Sequence, residues 1–258
     1  MKPHQPVRNN ESNHSVECTV STSTTSFPIE NRLLAALPRE EYERFLPRLE
    51  LVRFPKNRIL YEAGEEIHYA YFPTHGMASL FAITEDGSTL EIGTVGSEGY
   101  IGVPILHQVG VTAYRVTVQI PMMALRMEAN GFLVESNREG TLRTVLSRFA
   151  HVVETQLVQA VVCSLTHTVE QRLARRLMVM SDCLEADTFE VTQEQLSLIL
   201  DRHRNRISAA GIVLRNLALI EIARSQLKII NRQGLEAAAC ECYRIVKKTS
   251  DQVLGEEC

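Results

Sequence analysis

The chain has 258 residues, of which 45% are hydrophobic and 22% are charged, and its formal net charge is −4 at pH 7. These values are typical of a globular protein with one or two cores, and they argue against a protein that coats nucleic acid over its whole surface. The charge is unevenly distributed, because residues 192–232 carry seven positive and three negative side chains. This basic segment is therefore a candidate to contact an anion.

The first residues of the chain include the polar run STSTTS and few apolar side chains. Such a segment buries too little surface to order itself, so residues 1–28 are predicted to form a disordered tail. From about Asn31 the spacing of leucine and aromatic residues predicts two short helices separated at Pro38. The sequence shows no secretory leader and no apolar run near the roughly 18 residues that span a membrane, so a cytoplasmic protein without membrane contact is expected.

Six cysteines, at positions 18, 163, 183, 240, 242 and 258, are spread along the chain without a CxxC pair. Because no Cys/His spacing matches a familiar zinc motif, the sequence predicts reduced thiols, no metal ligands and no identified cofactor. Cys240 and Cys242 are close enough for a redox role, but inert helix residues are the favoured interpretation.

Between about residues 50 and 128 the pattern favours β-structure. Eight of the thirteen glycines fall within residues 64–110 and mark turns at short intervals. The runs HYAYF, MASLFAIT and YRVTVQI favour strands, and in the last run polar residues alternate with Val116, Val118 and Ile120. Asp86-Gly87 lies between two such runs and predicts a hairpin. An all-β domain, either a sandwich or a barrel, is expected.

After residue 128 the apolar spacing becomes helical. One long helix is predicted over residues 138–164, with a seam at alternating steps of four and three residues formed by Leu142, Leu146, Phe149, Val153, Gln156, Ala160 and Cys163. This seam could lie on the chain's own β-domain. The apolar stripe is wide enough for a second contact as well, so homodimerisation through this helix is the favoured interpretation.

The C-terminal part reads as a series of capped helices. Thr168 with Gln171 and Thr192 with Gln195 fit capping boxes, and each predicts the start of a helix. A further helix is expected to begin near His203, with buried positions at Ile207, Ala210, Leu214 and Leu217. Two helices joined by a tight turn are typical of a helix-turn-helix. The strand-like runs ALIEIA and QLKIIN then predict a β-hairpin, which makes the module winged.

The segment LDRHRNR, residues 200–206, places positive charge at the start of the second helix of this module. A helix N-terminus disfavours an exposed cation by roughly 0.3–1 kcal/mol, so its arginines indicate an external anion. Arginine can donate two hydrogen bonds to guanine, and asparagine can pair with adenine, in the major groove. DNA contacts are therefore predicted for Arg202, His203, Arg204, Asn205 and Arg206. His203 is not predicted to bind metal, because Asp201 is the only partner near it in the sequence.

The segments NRLLAALP, LYEAGE, YFPTHG, VGSEGYIGVPILH, VEQRLARRL, VTQEQL and GLEAAACECYRIV occur along the chain. Through them, residues 31–250 resemble the Crp/Fnr family of bacterial transcription regulators. The resemblance implies an α+β fold with an N-terminal β-roll (a double-stranded β-helix like that of cyclic nucleotide-binding domains), a long dimerisation helix and a C-terminal winged helix-turn-helix. The implied sensor domain, dimerisation helix and DNA-binding domain are residues 29–137, 138–164 and 165–250.

Carried over residue by residue, the resemblance implies that Thr192 contacts a phosphate, that Arg204 reads a base and that His203 faces the DNA backbone. Asn205 lies where relatives often carry glutamate, and Ala209 lies where they often carry arginine, so a different operator is expected. Two departures could weaken DNA binding or reshape the wing. Asp201 replaces the usual turn glycine, and the wing turn RSQ contains none.

The resemblance also bears on the ligand. Nucleotide-binding relatives hold ribose with a Gly-Glu pair and phosphate with Arg-Ser, where this chain has Gly102-Val103 and Thr112-Ala113. Val103 cannot accept the ribose hydrogen bond and Arg115 is out of register, which argues against binding of cyclic AMP or cyclic GMP. The N-terminal cysteine cluster of iron–sulfur relatives is also missing. A haem ligand stays open, although ordinary loop residues are the favoured interpretation of His68, His75 and His107.

The sequence therefore predicts a homodimeric, non-enzymatic transcription regulator whose β-roll senses an unidentified signal and whose helix-turn-helix reads a palindromic operator. Its expected partners are double-stranded DNA and a second copy, with RNA polymerase as a further candidate. One alternative is a sensor or binding module of the same fold that has lost specific DNA binding. A cupin-like metal enzyme is a second alternative, but it would need a His-x-His ligand cluster that the sequence lacks.

Overall fold

The computed structural model describes residues 30–192, 196, 204–223 and 226–255, with the backbone alone at Arg204. The predicted tail, residues 1–28, lies outside these ranges. So do Asp201, the predicted DNA contacts Arg202 and His203, and the two wing residues 224–225.

Two short helices open the described chain, α1 (Arg32–Ala35) and α2 (Arg39–Phe45), and they are separated at Pro38 as predicted. Asn31 caps α1 because its side-chain oxygen accepts from the backbone N–H of Leu34 at 3.0 Å. The amide of the same side chain donates to two backbone carbonyls in the β-domain, at 2.8 and 2.9 Å. One buried asparagine thus caps α1 and joins it to the β-domain.

The β-domain is an antiparallel sheet of five strands. They are β1 (Glu50–Phe54), β2 (Ile59–Tyr61), β3 (Tyr69–Ile83), β4 (Thr89–Val95) and β5 (Arg115–Glu128). The strand order is β1-β5-β3-β4, β2 also pairs with β5, and a short helix, α3 (Val103–Leu106), lies between β4 and β5. The predicted alternation in β5 is confirmed at Val116 and Val118, which are buried on either side of the partly exposed Thr117, whereas Ile120 is only partly buried.

The runs HYAYF and MASLFAIT, predicted as separate strands, belong to the single strand β3. The break between them is a set of register shifts against β5 from Pro73 to Ala78. Gly76 permits the bend, since its φ is +80° and a Cβ there would lie 2.2 Å from the carbonyl oxygen of Pro121. From the sequence, Gly76 was expected to mark a turn between two strands. In the structure it lies at a bulge within one strand, where β5 approaches closely.

The hairpin predicted at Asp86-Gly87 is confirmed, and it joins β3 to β4. The backbone N–H of Thr84 donates to Ser88 O at 2.9 Å, and that of Gly87 donates to Thr84 O at 2.8 Å. Gly87 has a φ of +78°, a conformation that a residue without a Cβ adopts without strain.

Aromatic rings fill the centre of the β-domain. The ring of Tyr100 lies 5.9, 5.6 and 5.6 Å, between centroids, from the rings of Phe72, Phe132 and Phe149. Gly99 lets α5 approach, because a Cβ at this position would lie 1.9 Å from the ring of Phe149. The long helix that follows the sheet therefore packs directly into the core of the β-domain.

Three helices follow the sheet: α4 (Ala129–Ser136), α5 (Thr141–Thr166) and α6 (Val169–Leu184). All residues of the α5 seam are buried within the single chain, so the seam packs on the chain's own core, one of the two contacts expected for this helix. Homodimerisation through another face of α5 stays a prediction. Leu142, Leu146, Phe149 and Val153 join the β-domain core, and Gln156 exchanges hydrogen bonds with the backbone of Thr94. A heptad seam does not specify its partner, and here the partner is the chain's own sheet.

Among the described residues, α5 is long and apolar enough to cross a membrane, judged by its 26 residues and its composition alone. The sequence prediction of no membrane-spanning segment was based on uninterrupted apolar runs. In α5, polar residues interrupt the apolar ones. In the fold, 39% of its most apolar 18-residue window is buried, and a core helix of a globular protein meets the same criterion.

The C-terminal part has a three-stranded antiparallel sheet in the order β6-β8-β7, packed with helices. Its apolar cluster combines residues of α6, α7 and the sheet with Met77 and Phe81 of β3. The elements are β6 (Thr188–Glu190), α7 (Arg204–Asn216), β7 (Ile220–Ala223), β8 (Gln226–Ile229), α8 (Arg232–Ala238) and α9 (Glu241–Leu254). The predicted α+β fold class is thereby confirmed.

Candidate nucleic-acid interface

The first turn of α7 is exposed on one side and anchored on the other. Ile207, Ala210 and Leu214, at steps of three and four residues, are buried in the C-terminal core. Asn205 and Arg206 lie in the first turn and are exposed. The helix therefore presents its leading end to solvent, while its apolar stripe fixes its orientation.

The end of α7 differs from the sequence prediction. Leu217, predicted to be the last buried position, lies in the turn after Asn216 and is 60% exposed. The backbone turns at Ala218, which has a φ of +55°, and Leu219 takes the buried position instead. Leu217 would lie on the buried stripe only if the helix continued past Asn216.

Thr192 lies where a first helix of the module would begin. The backbone N–H of Leu196 donates to Thr192 O at 3.1 Å, which is the i to i−4 bond expected when Thr192 is an N-cap. Leu196 is buried against the same core as α7, while Thr192 is exposed. Gln195, the other member of the predicted capping box, lies outside the described residues.

The predicted wing hairpin is confirmed in its strands. β7 and β8 pair antiparallel from Ile220↔Ile229 to Ala223↔Gln226, so two residues connect them. β6 pairs with the other edge of β8 and places Phe189 opposite Leu227 in the core. Lys228 on β8, one of the seven positive residues of the basic segment, is exposed.

The structure thus describes only some of the predicted site residues. Thr192, Asn205 and Arg206 are described and exposed, Arg204 is the first residue of α7, and Arg202 and His203 lie outside the described residues. Their contacts with DNA stay a prediction.

The helices around the module are fixed by polar contacts. The predicted capping box at the start of α6 is confirmed, since Thr168 and Gln171 bond reciprocally through their side chains and backbone N–H groups. Asp182 near the end of α6 pairs with Arg232 and accepts from the hydroxyl of Tyr243 at 2.8 Å. Burial, followed by the nearby charge of Asp182, raises the pKa of Tyr243, so this hydroxyl stays a donor at neutral pH. These contacts hold α8 and α9 on α6, and α7 packs against α6.

In the β-domain, Arg115 is engaged by a carboxylate of its own chain. Its guanidinium donates from Nε to both carboxylate oxygens of Glu62, at 2.9 and 3.0 Å. These hydrogen bonds lower the pKa of the Glu62 carboxyl. In the pair Gly102-Val103, only Val103 has a side chain, and it is the first residue of α3. The arginine nearest the expected phosphate position is therefore paired with Glu62.

Tyrosine side chains pack beside the segment that precedes α3. The Tyr61 hydroxyl donates to Tyr69 O and lies 3.3 Å from Ile101 O, and burial raises its pKa well above the usual value. Tyr61 and Tyr71 have ring centroids 6.0 Å apart. The candidate haem ligands, in contrast, are all on the surface of the described structure: His68, His75 and His107.

One arrangement of potential ligands was not predicted from the sequence. Cys163 and His167, at the C-terminal end of α5, lie beside Cys240 and Cys242, at the start of α9. The pair at positions 240 and 242 was interpreted as inert because only local spacing was considered, whereas the second pair is more than 70 residues away in the sequence. The Cys240 thiol and the Arg175 guanidinium lower the pKa of Cys163 despite its burial. The i, i+4 spacing of Cys163 and His167 on a predicted helix was the signal that could have found the set.

Comparison with known proteins identifies similar domains and similar folds. Residues 51–136 match the family model of the cyclic nucleotide-binding domain. FixK2 from Bradyrhizobium japonicum is similar in structure, with a TM-score of 0.63 and 13% identity over 74% of this chain and 98% of that one. No curated protein sequence matches the chain.

Two transcriptional regulators from Thermus thermophilus are similar as well. One is assigned to the CRP family and has a TM-score of 0.59 and 19% identity, over 73% of this chain and 96% of that one. The other is assigned to the CRP/FNR family and has a TM-score of 0.58 and 17% identity, over 74% and 98%. At these identities the similarity establishes the fold.

Proposed function

The chain has the fold of the Crp/Fnr family of transcriptional regulators, with a cyclic nucleotide-binding domain at residues 51–136, and from this premise we propose that it is a homodimeric DNA-binding transcription regulator. It acts in the cytoplasm, with a sensor domain over residues 29–137, a dimerisation helix over 138–164 and a DNA-binding domain over 165–250. Its role is to bind a signal and an operator, and it catalyses no reaction.

The observation that carries this proposal is the exposed leading end of α7. Ile207, Ala210 and Leu214 fix the helix in the core, so the first turn with Asn205 and Arg206 faces solvent. A recognition helix reads DNA with its N-terminal residues, and both residue types donate hydrogen bonds to base edges or phosphates. Arg202, His203, Arg204 and Thr192 complete the proposed surface, with Arg204 reading a base and Thr192 binding a phosphate.

The signal is proposed to be something other than cyclic AMP or cyclic GMP. Arg115 is paired with Glu62, and Val103 offers no acceptor for a ribose hydroxyl. A cyclic phosphate bound by Arg115 would have to displace that carboxylate, and without Arg115 the phosphate charge would lack a partner.

Replacing Arg204 with alanine tests base reading. The preferred duplex is first selected from a randomised library, and binding is then measured by fluorescence anisotropy over a series of salt concentrations. We expect Arg204→Ala to cost about 1–3 kcal/mol on the selected site and to relax preference at one base pair. Wild-type affinity should fall steeply with salt, because several counterions are released.

The matched control is Arg215→Ala, which removes an exposed arginine at the other end of α7 and should leave affinity within about 0.5 kcal/mol. Equal losses from the two variants would contradict base reading by Arg204. If no sequence is selected over random duplex, the alternative holds instead, and the chain is a sensor module of this fold without specific DNA binding.

A further inference from the structure

Four side chains from two distant parts of the chain form a thiol-imidazole cluster: Cys163, His167, Cys240 and Cys242. Each offers one ligand atom, and these atoms all lie within 4.8 Å of one another. Cys163 and His167 are one helical turn apart at the end of α5, where His167 is the C-cap residue. Cys240 is the N-cap residue of α9, and Cys242 lies in its first turn.

Two of the six separations match those of a four-coordinate metal site, and the other four are at most 4.8 Å. Cys163 Sγ and Cys240 Sγ are 3.7 Å apart, and Cys242 Sγ is 3.6 Å from His167 Nδ1. Around a tetrahedral zinc ion, with Zn–S of about 2.3 Å and Zn–N of about 2.0–2.1 Å, ligand atoms are about 3.8 Å apart for two sulfurs and about 3.6 Å apart for sulfur and nitrogen. The four atoms therefore need little movement to share one ion.

The surroundings of the cluster orient its ligands. His167 Nε2 lies 3.2 Å from a carboxylate oxygen of Glu241, which fixes the proton on Nε2 and leaves Nδ1 facing Cys242. Metal-binding histidines usually donate their second ring nitrogen to a carboxylate in this way. Arg175 Nη1 lies 3.6 Å from Cys163 Sγ. Its positive charge offsets the single net negative charge that three thiolates, one neutral imidazole and a divalent cation would carry.

Burial excludes most solvent from the cluster without isolating it. Cys163, Cys240 and Cys242 are between 0 and 3% exposed, and the side chain of His167 is 9% exposed. Buried thiols beside one another can also share a hydrogen bond or form a disulfide. Neither explains why an imidazole nitrogen and a third sulfur face the same point, nor why the other nitrogen of the imidazole is held by Glu241.

From this geometry we propose that Cys163, His167, Cys240 and Cys242 bind one Zn²⁺ ion per chain in a structural Cys₃His site. The ion ties the end of α5 to the start of α9, and α9 also packs along α5. Because structural zinc binding couples to folding, the bound ion stabilises the contact between the long helix and the C-terminal part of the chain. This site goes beyond the proposed function and does not require DNA binding.

The test uses the full chain purified under reducing conditions. Zinc is measured by mass spectrometry after dialysis, and Co²⁺ is then titrated as a spectroscopic probe of the ligands and geometry. We expect one zinc per chain, and a cobalt complex with intense tetrahedral bands and sulfur-to-cobalt charge transfer. Zinc should also raise the melting temperature of the metal-free protein.

Variants separate the four ligands from other thiols. Cys240→Ser should lower zinc affinity by more than about 100-fold, and Glu241→Gln, which removes the carboxylate that supports His167, should lower it by about 10–100-fold. The matched control is Cys183→Ser, because Cys183 is a free thiol outside the cluster. It should bind zinc with wild-type affinity.

Four results would count against the site. One is wild-type protein that takes up no zinc at micromolar Zn²⁺ with its thiols reduced. Another is equal zinc affinity in wild type, Cys240→Ser and Cys183→Ser. The third is a cobalt spectrum without sulfur charge transfer, a result that is independent of whether any variant folds. A Cys163–Cys240 disulfide that forms in preference to zinc binding would also count against it.

Discussion

At the scale of single residues, the start of the long helix depends on a side chain from another helix. α5 begins after Gly140, which has no side chain to cap the helix. Glu41 of α2 takes that role, and its carboxylate accepts from the backbone N–H groups of Thr141 and Leu142 at 2.8 and 3.0 Å. A Cβ at Gly140 would lie 2.8 Å from that carboxylate, so the glycine makes room for the cap. Burial opposes ionisation of Glu41, but these hydrogen bonds outweigh it and lower its pKa.

Glu41→Gln should lower the free energy of unfolding by about 1 kcal/mol at pH 7, because the neutral amide loses the charge interaction with the helix terminus. A carboxyl whose pKa is lower in the folded state stabilises fully above its unfolded pKa, and that stabilisation is lost as the pH falls through the folded pKa. The difference between wild type and variant should therefore shrink with falling pH in urea titrations. Glu40→Gln on the same helix is the control, with an effect within about 0.5 kcal/mol and no such convergence. A constant difference at every pH would contradict the capping role.

At the scale of elements, α6 is joined to the β-domain by an ion pair that is almost fully buried. Arg176 of α6 lies 2.8 Å from a carboxylate oxygen of Glu91 on β4, with side chains 4% and 11% exposed. Although Arg176 is charged, the fold turns its side chain inward against the sheet. Met77 and Phe81 of β3 pack into the C-terminal core, so an apolar contact accompanies the pair. The orientation of α6 on the sheet is thus fixed by both charge and packing.

Glu91→Ala should destabilise the chain by about 3–5 kcal/mol, because Arg176 would be left buried without its anion. The control pair is Arg126 and Glu50 on neighbouring strands, which is more exposed, and Glu50→Ala should cost only about 0–1 kcal/mol. Replacing both partners of the buried pair, as Glu91→Leu with Arg176→Met, should restore part of the loss. Denaturant unfolding measures all three, and similar costs for Glu91→Ala and Glu50→Ala would show that burial does not govern the pair.

At the scale of the whole molecule, α5 leaves a second apolar stripe uncovered. Its residues follow the helical spacing i, i+3, i+4 and i+7, and they are exposed in the single chain by 60, 56, 36 and 79%: Val158, Val161, Val162 and Leu165. The other side of α5 is occupied by the β-domain. This stripe, rather than the predicted seam, is the surface that we propose for pairing with a second copy. Two copies would then offer two α7 helices to half-sites about 34–36 Å apart.

Leu165→Glu should shift the protein from dimer to monomer, because pairing would bury a carboxylate in an apolar contact. Sedimentation velocity over a range of protein concentrations measures the dissociation constant, which should rise by more than tenfold. Val109→Glu is the control, since Val109 is an exposed apolar residue of the β-domain. A wild-type chain that stays monomeric, or a variant that dimerises unchanged, would contradict pairing through this stripe.

Features encoded by neighbouring residues could be predicted from the sequence. The Thr168–Gln171 cap, the Asp86-Gly87 hairpin and the buried stripe of Ile207, Ala210 and Leu214 each depend on residues a few positions apart, and periodicity and turn chemistry report such contacts directly. The resemblance to Crp/Fnr regulators extended these local signals to a whole fold. The DNA-contacting roles of Thr192 and of residues 202–206 stay predictions.

Only the tertiary structure decided which surfaces meet. The sequence by itself determined that α5 has an apolar seam, but the fold gave that seam to the β-domain and left Val158 and Leu165 exposed. It also determined the six cysteines, but long-range packing brought three of them to one histidine. The reason is physical. Helices, strands and turns follow from short-range sterics and hydrogen bonds, whereas a partner far along the chain is selected by shape and burial over the whole core.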